Sequence, residues 1–487
     1  DVDGVTSAAL LSEFLRASRI PFRARLPRRD REGYGLNAAA LREAVEEGAT
    51  LVLTADTGIS SVAEARLARE LGLDLVITDH HTPGPELPEA AAVVNPKLPG
   101  STYPDAMIAG VGVAWNLAVS VRRSLREGGW YEGHPEPDVR DLLDLVALGT
   151  VADVAPLTKV NRALVAAGLK RLNGDRPRSG VEALKQIAGV KGPLRAGHIG
   201  FQLGPRLNAA GRMEGPHEAL DLLLSSDAGL SRDLAARLDA LNRRRQDEER
   251  GILAEALDQV KRGGWLPGAW SLVVGAEGWH EGVIGIVASR LADLHARPAV
   301  VIALPQGKGS ARSISGLNLH DTLGDCAALL ERFGGHAAAA GLKLAPGNLG
   351  AFREAFEAAV RRRITQEDLR PLLLLDAEVS FREMSTRAVG ELSLLEPFGA
   401  GNPSPTLLAT GAGVLDVRPM GREGEHLRFR LEQQGLRVDA VAWRKAEGLA
   451  HVRPGSRVDV AFTPQVSAWN GADRVQLVVD GMRPAAG

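Results

Sequence analysis

The chain has 487 residues, 45% of them hydrophobic and 24% charged, with a formal net charge of −2. That length exceeds one typical core and calls for about two to four domains. The charge balance argues against wholesale coating of nucleic acid while leaving room for a local basic channel. A lone cysteine, Cys326, excludes an internal disulfide framework and suits a reducing cytoplasm. No apolar run reaches membrane-spanning length and no signal-peptide pattern stands out; the sequence starts at Asp1 rather than Met.

From Asp1 to about Val160, short β-like runs alternate with helix-like stretches, the pattern of a parallel, doubly wound α/β sheet. Residues 49–54 read as a strand that ends at Asp56-Thr57-Gly58, a helix follows over 61–71, and 73–78 form the next strand, which runs into Asp79-His80-His81. Residues 91–94 are a further strand before Asn95-Pro96. Asp141 to Thr150 reads as a helix that stops at Gly149 and delivers Asp153 in the turn beyond. Residues 230–261 are helical and heavily charged, which predicts a solvated connecting helix.

A second, smaller α/β pattern opens at Trp270 and ends near Arg363. From about Leu373, alternating runs at 426–431, 436–441 and 457–462 are separated by Gly-containing turns. They predict an all-β module of roughly 100 residues, compatible with an OB-like Greek-key barrel. The expected division is 1–175, 176–264 with the long helix, 265–365, and 370–487.

Four segments supply acids and imidazoles: Asp1-Val2-Asp3-Gly4, Thr54-Ala55-Asp56-Thr57-Gly58, Thr78-Asp79-His80-His81, and Gly149-Thr150-Val151-Ala152-Asp153. Each reads as a small-residue-rich turn after an apolar segment, so all can meet at the carboxyl edge of one sheet. Carboxylates mixed with imidazole and open to water suit Mg²⁺ or Mn²⁺, imidazole favouring Mn²⁺. A carboxylate bridging two ions about 4 Å apart suits in-line displacement at phosphorus, which makes phosphoester hydrolysis the leading reaction class.

In this order the four segments resemble the DHH phosphoesterase superfamily. Gly307-Lys308-Gly309-Ser310-Ala311-Arg312-Ser313 and Phe333-Gly334-Gly335-His336 with the following Ala-rich run resemble its accessory DHHA1 domain. The stretches 200–212, with Gly204-Pro205-Arg206-Leu207-Asn208, and 397–403 are similar to the RecJ family of single-strand-specific exonucleases. The resemblance spans nearly the whole chain.

It implies two divalent cations, Mn²⁺ or Mg²⁺, one held by Asp1 and Asp56 and the other by Asp3, Asp56, His80 and Asp153. His81 would face the scissile phosphate and Asp79 would orient an imidazole. A His four residues ahead of Asp1 and a strand leading into it also belong to the family pattern; neither is in this sequence. Ser310 and Arg312, helped by Arg206 or Arg212 and His336, would hold the terminal phosphate or the backbone near it. In the barrel, Trp443, Trp469, Arg428, Arg430 and Arg444 are available for stacking and phosphate attraction.

The activity so implied is 5′-to-3′ degradation of single-stranded DNA to mononucleotides by a cytoplasmic, monomeric repair and recombination enzyme, with helicase and single-strand-binding protein as partners. The competing readings are a DHH phosphoesterase acting on short RNA oligonucleotides or cyclic dinucleotides, a catalytically silent DNA-binding scaffold, and a small pyrophosphatase-like hydrolase, which the barrel disfavours.

Overall fold

The computed structural model describes residues 1–27, 35–213, 215–421, 423–469 and 472–485, the side chains of 468, 469 and 472 excepted. The chain forms two compact units, residues 1–153 with 167–371, and 154–166 with 372–487.

The first unit opens with helix α1 (Val2–Ala17). Helix α2 (Ala38–Glu46) precedes strand β1 (Leu51–Ala55), helix α3 (Val62–Glu70), and strands β2 (Asp74–Thr78) and β3 (Ala92–Val94). The three strands pair in parallel in the order β1-β2-β3, with Ala55 opposite Thr78 and Thr78 opposite Val94. Period-two alternation turns Leu75 and Ile77 to one face of β2, where they pack with Leu41 of α2 and with Ala65 and Ala68 of α3. Burial of an aliphatic side chain such as Ile77 is worth about 1.5–3 kcal/mol. It fixes the strand register, and with it the point at which β2 ends before Asp79.

Helix α4 (Gly110–Glu127) and helix α5 (Leu143–Ala152) pack against α1 and against each other. Helix α5 runs through Gly149 and Thr150 instead of stopping there, because its last turn stays hydrogen-bonded up to Asp153, whose N–H donates to Gly149 O at 2.8 Å. The opening residues form the first turn of a helix: Asp1 caps α1 by accepting the Gly4 N–H at 3.1 Å.

Farther along come α6 (Gly204–Met213) and the 35-residue α7 (Ala228–Arg262). The expectation of a solvated connector fails at the centre of α7, where Asp239, Asn242, Arg245 and Glu249 are buried. Arg245 donates to Glu249 and Asn242, and Arg290 reaches the other oxygen of Glu249. The remainder of the unit is a five-stranded mixed sheet in the order β4-β5-β6-β8-β7, built from β4 (Leu272–Glu277), β5 (Ala299–Leu304), β6 (Lys308–Arg312), β7 (Arg332–Gly335) and β8 (Ala339–Lys343). Helices α8 (Ile284–His295) and α9 (Leu349–Arg361) contribute to its two cores. Gly334 and Gly335 lie in strand β7, where a Cβ at Gly335 would meet the Ala339 carbonyl of β8 at 2.5 Å.

The second unit contains the expected β-barrel. Strands β10 (Leu407–Met420), β11 (His426–Gln433), β12 (Leu436–Ala442), β13 (Arg457–Trp469) and β14 (Ala472–Pro484) close on themselves, since β10 pairs with both β11 and β13; the short β9 (Ala377–Glu378) adds to β10. Phe429, Phe462 and Leu477 lie in its centre. Among the described residues, no helix is long and apolar enough to cross a membrane.

Candidate metal and phosphate site

The carboxyl ends of β1 and β2, the start of α1 and the end of α5 bring Asp3, Asp56, His80 and Asp153 together. Asp56 follows β1 with φ at 60°, a left-handed conformation that a non-glycine residue adopts at a cost. Asp3 is buried in the first turn of α1, and its two oxygens accept the Gly110 N–H at 2.7 Å and the Val111 N–H at 2.8 Å, the leading amides of α4. Two glycines permit this approach. A Cβ at Gly110 would sit 2.7 Å from Asp56 Oδ1, and one at Gly149 would sit 2.9 Å from Asp3 Oδ1 and 2.3 Å from Thr6 Oγ1.

His80 is oriented by a carbonyl. Its Nδ1 lies 3.1 Å from Ile108 O, which can only accept, so that nitrogen carries the hydrogen and Nε2 presents its lone pair. Nε2 faces Asp56 Oδ1 at 3.2 Å, Asp3 Oδ2 at 3.8 Å and Asp153 Oδ2 at 3.9 Å. Among the described residues, neither Nε2 nor Asp56 Oδ1, both buried, has a hydrogen-bond partner.

The carboxyls respond to this crowding. Burial, and then the neighbouring Asp3, hold Asp56 well above the usual carboxylate range. Asp153 is pushed up to about 6 for the same two reasons. Burial also raises Asp3, against the pull of His80 and the two α4 amides. Lone pairs and carboxylates converging with no donor between them fit a divalent cation, which would return the acids to their ionised forms. Two ligand groupings emerge, Asp3 with His80 and Asp153, and Asp56 with His80 and His81, the donor atoms within each lying within 4.8 Å of one another.

His81 is held differently. Asp79 Oδ1 lies 2.7 Å from its Nδ1 and also accepts the backbone N–H groups of His80 and His81, while Oδ2 accepts the Ile59 N–H. Asp79 thus orients His81, whereas Ile108 orients His80. The Asp79 hydrogen bond raises the His81 ring above the usual imidazole range and occupies the nitrogen that would otherwise meet Asp56. Asp1 stands outside both groupings among the described residues. The point a Gly4 Cβ would occupy lies 3.6 Å from Asp1 Oδ1 and 3.4 Å from Asp56 Oδ2, so the two carboxylates flank one spot.

The residues expected to hold phosphate converge only in part. Arg312 Nη1 lies 3.1 Å from Ser310 Oγ on β6, and both side chains border Gly285 at the start of α8, where a Cβ would meet them at 3.2 and 3.0 Å. Arg212 Nη1 donates to Gly282 O, in the loop before α8, at 2.9 Å. His336 is exposed in the β7–β8 turn, its N–H bonded to the Ala339 carbonyl opposite Arg312. Arg206 is paired with Asp239 of α7 at 2.9 Å and donates to the Gln202 carbonyl.

In the barrel, Arg428 and Arg430 both lean on Asp439, and half-exposed Trp443 packs edge-on against His426, whose Nδ1 accepts the Arg444 N–H. The Trp469 side chain lies outside the described residues.

Sequence reasoning missed Ile108, Asn95 and Lys97. Asn95 donates to His81 O at 2.9 Å and accepts the Lys97 N–H at 2.8 Å, tying the Pro96 turn to the histidine loop. Burial pulls the Lys97 ammonium below the usual lysine range, partly offset by Asp153 and Asp79. Asn95-Pro96 directly after β3 was the available signal.

Three family models match the chain: the DHH family N-terminal domain over residues 1–150, the DHHA1 domain over 270–362, and the RecJ OB domain over 375–481. The single-stranded-DNA-specific exonuclease RecJ of Dickeya dadantii is 38% identical, across 99% of this chain and 86% of its own length. RecJ of Bacillus subtilis is 38% identical across 98% of this chain, which spans 60% of that relative's length. The crystal structure of RecJ from Thermus thermophilus in complex with Mn²⁺ superposes with a TM-score of 0.84 at 33% identity, covering 100% of this chain and 68% of that one. The chain belongs to the RecJ family.

Proposed function

We propose that this chain hydrolyses single-stranded DNA from the 5′ end, releasing 5′-mononucleotides with the help of two divalent cations, Mn²⁺ or Mg²⁺. The observation that carries this reading is His80 Nε2, buried and without a hydrogen-bond partner among the described residues, turned toward Asp3, Asp56 and Asp153. The relatives' names as single-stranded-DNA-specific exonucleases, and the Thermus thermophilus complexes with Mn²⁺ and with Mg²⁺, support it.

Asp3, Asp56, His80 and Asp153 would hold one ion, and Asp56 with Asp1 the other. Such a pair supplies hydroxide at neutral pH and neutralises charge gathering on the phosphoryl oxygens. The chain's own groups do the rest. The α4 amides fix Asp3, the Ile108 carbonyl aims His80, and Asp79 holds His81 so that the ring's other nitrogen can donate to the scissile phosphate. Ser310 and Arg312, with Arg212, His336 and the amides at the start of α8, would take the terminal phosphate, which sets the polarity. Arg206 would help from its place beside Asp239.

Residues 1–175 and 265–365 would supply chemistry and end recognition, 176–264 the connection between them, and 370–487 the grip on the incoming strand. A DNA substrate and a single buried thiol suit a monomer working in the cytoplasm in repair and recombination, alongside helicase and single-strand-binding protein. The test is a 5′-phosphorylated labelled strand, single or duplex, in Mn²⁺: mononucleotides should appear from the single strand alone, and an intact single strand would sink the proposal. Faster turnover of a two-nucleotide substrate than of a long strand would favour the short-oligonucleotide reading. Absence of Mn²⁺ binding in calorimetry would favour a silent scaffold.

A further inference from the structure

Phe201 is 87% exposed although the residues two positions to either side, Ile199 and Leu203, are fully buried. It occupies the centre of one π-helical turn, Ile199–Leu203, that leads into α6. Such turns disrupt the regular hydrogen-bond ladder and recur at functional sites.

The turn is pinned beside the carboxylate cluster at two points. A Cβ at Gly200 would lie 3.7 Å from Val151 Cγ1 and one at Gly204 3.4 Å from Ala152 Cβ, so the turn rests on the end of α5 that carries Asp153. At the other end, Asn208 Oδ1 accepts the Val2 N–H at 3.1 Å, between Asp1 and Asp3. Residues 195–213 include Arg195, His198, Arg206 and Arg212 and no acidic residue. The carboxylate nearest Arg206, Asp239, is shared with Arg243 at 2.7 Å, so two guanidinium groups stand on one negative charge.

We infer that Phe201 stacks on a nucleobase of the bound strand near its reacting end. This inference rests on the proposed nuclease reading. Phe201 is flanked in the chain by Gly200 and Gln202, neither of which extends its apolar surface, whereas a protein partner needs a broad apolar face. A π face in a stretch that carries cations and no acid, resting on the end of α5 that bears Asp153, suits a base of a phosphate-bearing strand, and stacking tolerates any sequence.

The test is strand binding in EDTA, where hydrolysis stops, using 5′-phosphorylated oligothymidylate in which one abasic residue is walked inward from the 5′ end. Phe201→Ala should weaken binding of the intact strand about tenfold, within the range of one lost stack. One abasic position within the first few nucleotides should cost the wild type a similar factor and cost Phe201→Ala almost nothing further, and Phe201→Trp should restore the wild-type pattern. Independent, multiplying losses at every position overturn the inference, as does a Phe201→Ala variant whose solution mass changes while its strand affinity does not, which would make the occupant a second copy. A wild type that degrades single strands but shows no coupling defeats only the role of Phe201; one that neither binds nor degrades them defeats the nuclease reading as well.

Discussion

Nε2 of His80 and Oδ1 of Asp56 face each other at 3.2 Å, both buried, with no hydrogen bond to either among the described residues. A lone pair and a carboxylate so placed repel unless a positive charge lies between them.

The two neighbouring histidines should therefore fail differently. His80→Ala should weaken Mn²⁺ binding by more than the roughly 10–100-fold that loss of an outer supporting group costs. His81→Ala should leave Mn²⁺ affinity close to that of the wild type and lower kcat by about 10²–10⁴-fold. Calorimetry paired with steady-state rates separates them, and equal loss of metal from both variants overturns the division of roles.

Asp56→Asn should raise the melting temperature of the metal-free protein by a few degrees and abolish the further rise on adding Mn²⁺. The amide removes one charge from a crowded, buried set in which Asp3 already opposes ionisation of Asp56. Asn also tolerates the left-handed backbone at this position, so relief of repulsion is not masked by strain. Thermal scans in EDTA and in Mn²⁺ check both halves, and a lower metal-free melting temperature contradicts the argument.

Gly149→Ala places a methyl 2.3 Å from Thr6 Oγ1 and 2.9 Å from Asp3 Oδ1, between α1 and α5. Overpacking of this kind costs about 1–3 kcal/mol. The variant should melt several degrees lower and bind Mn²⁺ more weakly, because Asp3 is the group pushed aside. A variant with lowered stability but unchanged metal affinity would show that the helices part without moving the carboxylate.

Burial, with Asp325 adding to it, pushes the Cys326 thiol up to about 11. At pH 8 the folded protein should resist iodoacetamide, while the urea-unfolded chain reacts readily. As pH rises, the unfolded thiol ionises first, at its ordinary value near 9.0, while the folded thiol keeps its proton. Folding stability should therefore fall between about pH 9 and 11, and Cys326→Ala should flatten that slope in denaturant titrations.

Much of the scaffold was legible because its signals are local. Leu75 and Ile77 alternate with period two, and the Gly-punctuated runs of the barrel do the same. The helix start at Asp1 was available as a signal, an acid at the cap and another in the first turn, but the short polar and small residues of Asp-Val-Asp-Gly also suit a turn. Ligand residue types were visible for the same local reason, whereas what aims them was not. The Ile108 carbonyl on His80 and the α4 amides on Asp3 are long-range backbone contacts, and backbone atoms leave no trace in residue identity. The charged centre of α7 misled for a related reason: Arg245 and Glu249 at i,i+4 look alike whether their far side meets water or, as here, Arg290.

Helix α7 works as a ruler. Its first half packs on the α6 side of the unit and its second half on α8 and β4, and 35 residues at 1.5 Å each make it about 52 Å long. With ionic contacts clamping its midpoint, the interval from the carboxylate cluster to Ser310 and Arg312 is measured in helical turns and not in the reach of a flexible loop. One inserted residue would twist one half against the other by about 100°. The length of this helix should therefore tolerate change far less than its surface composition does.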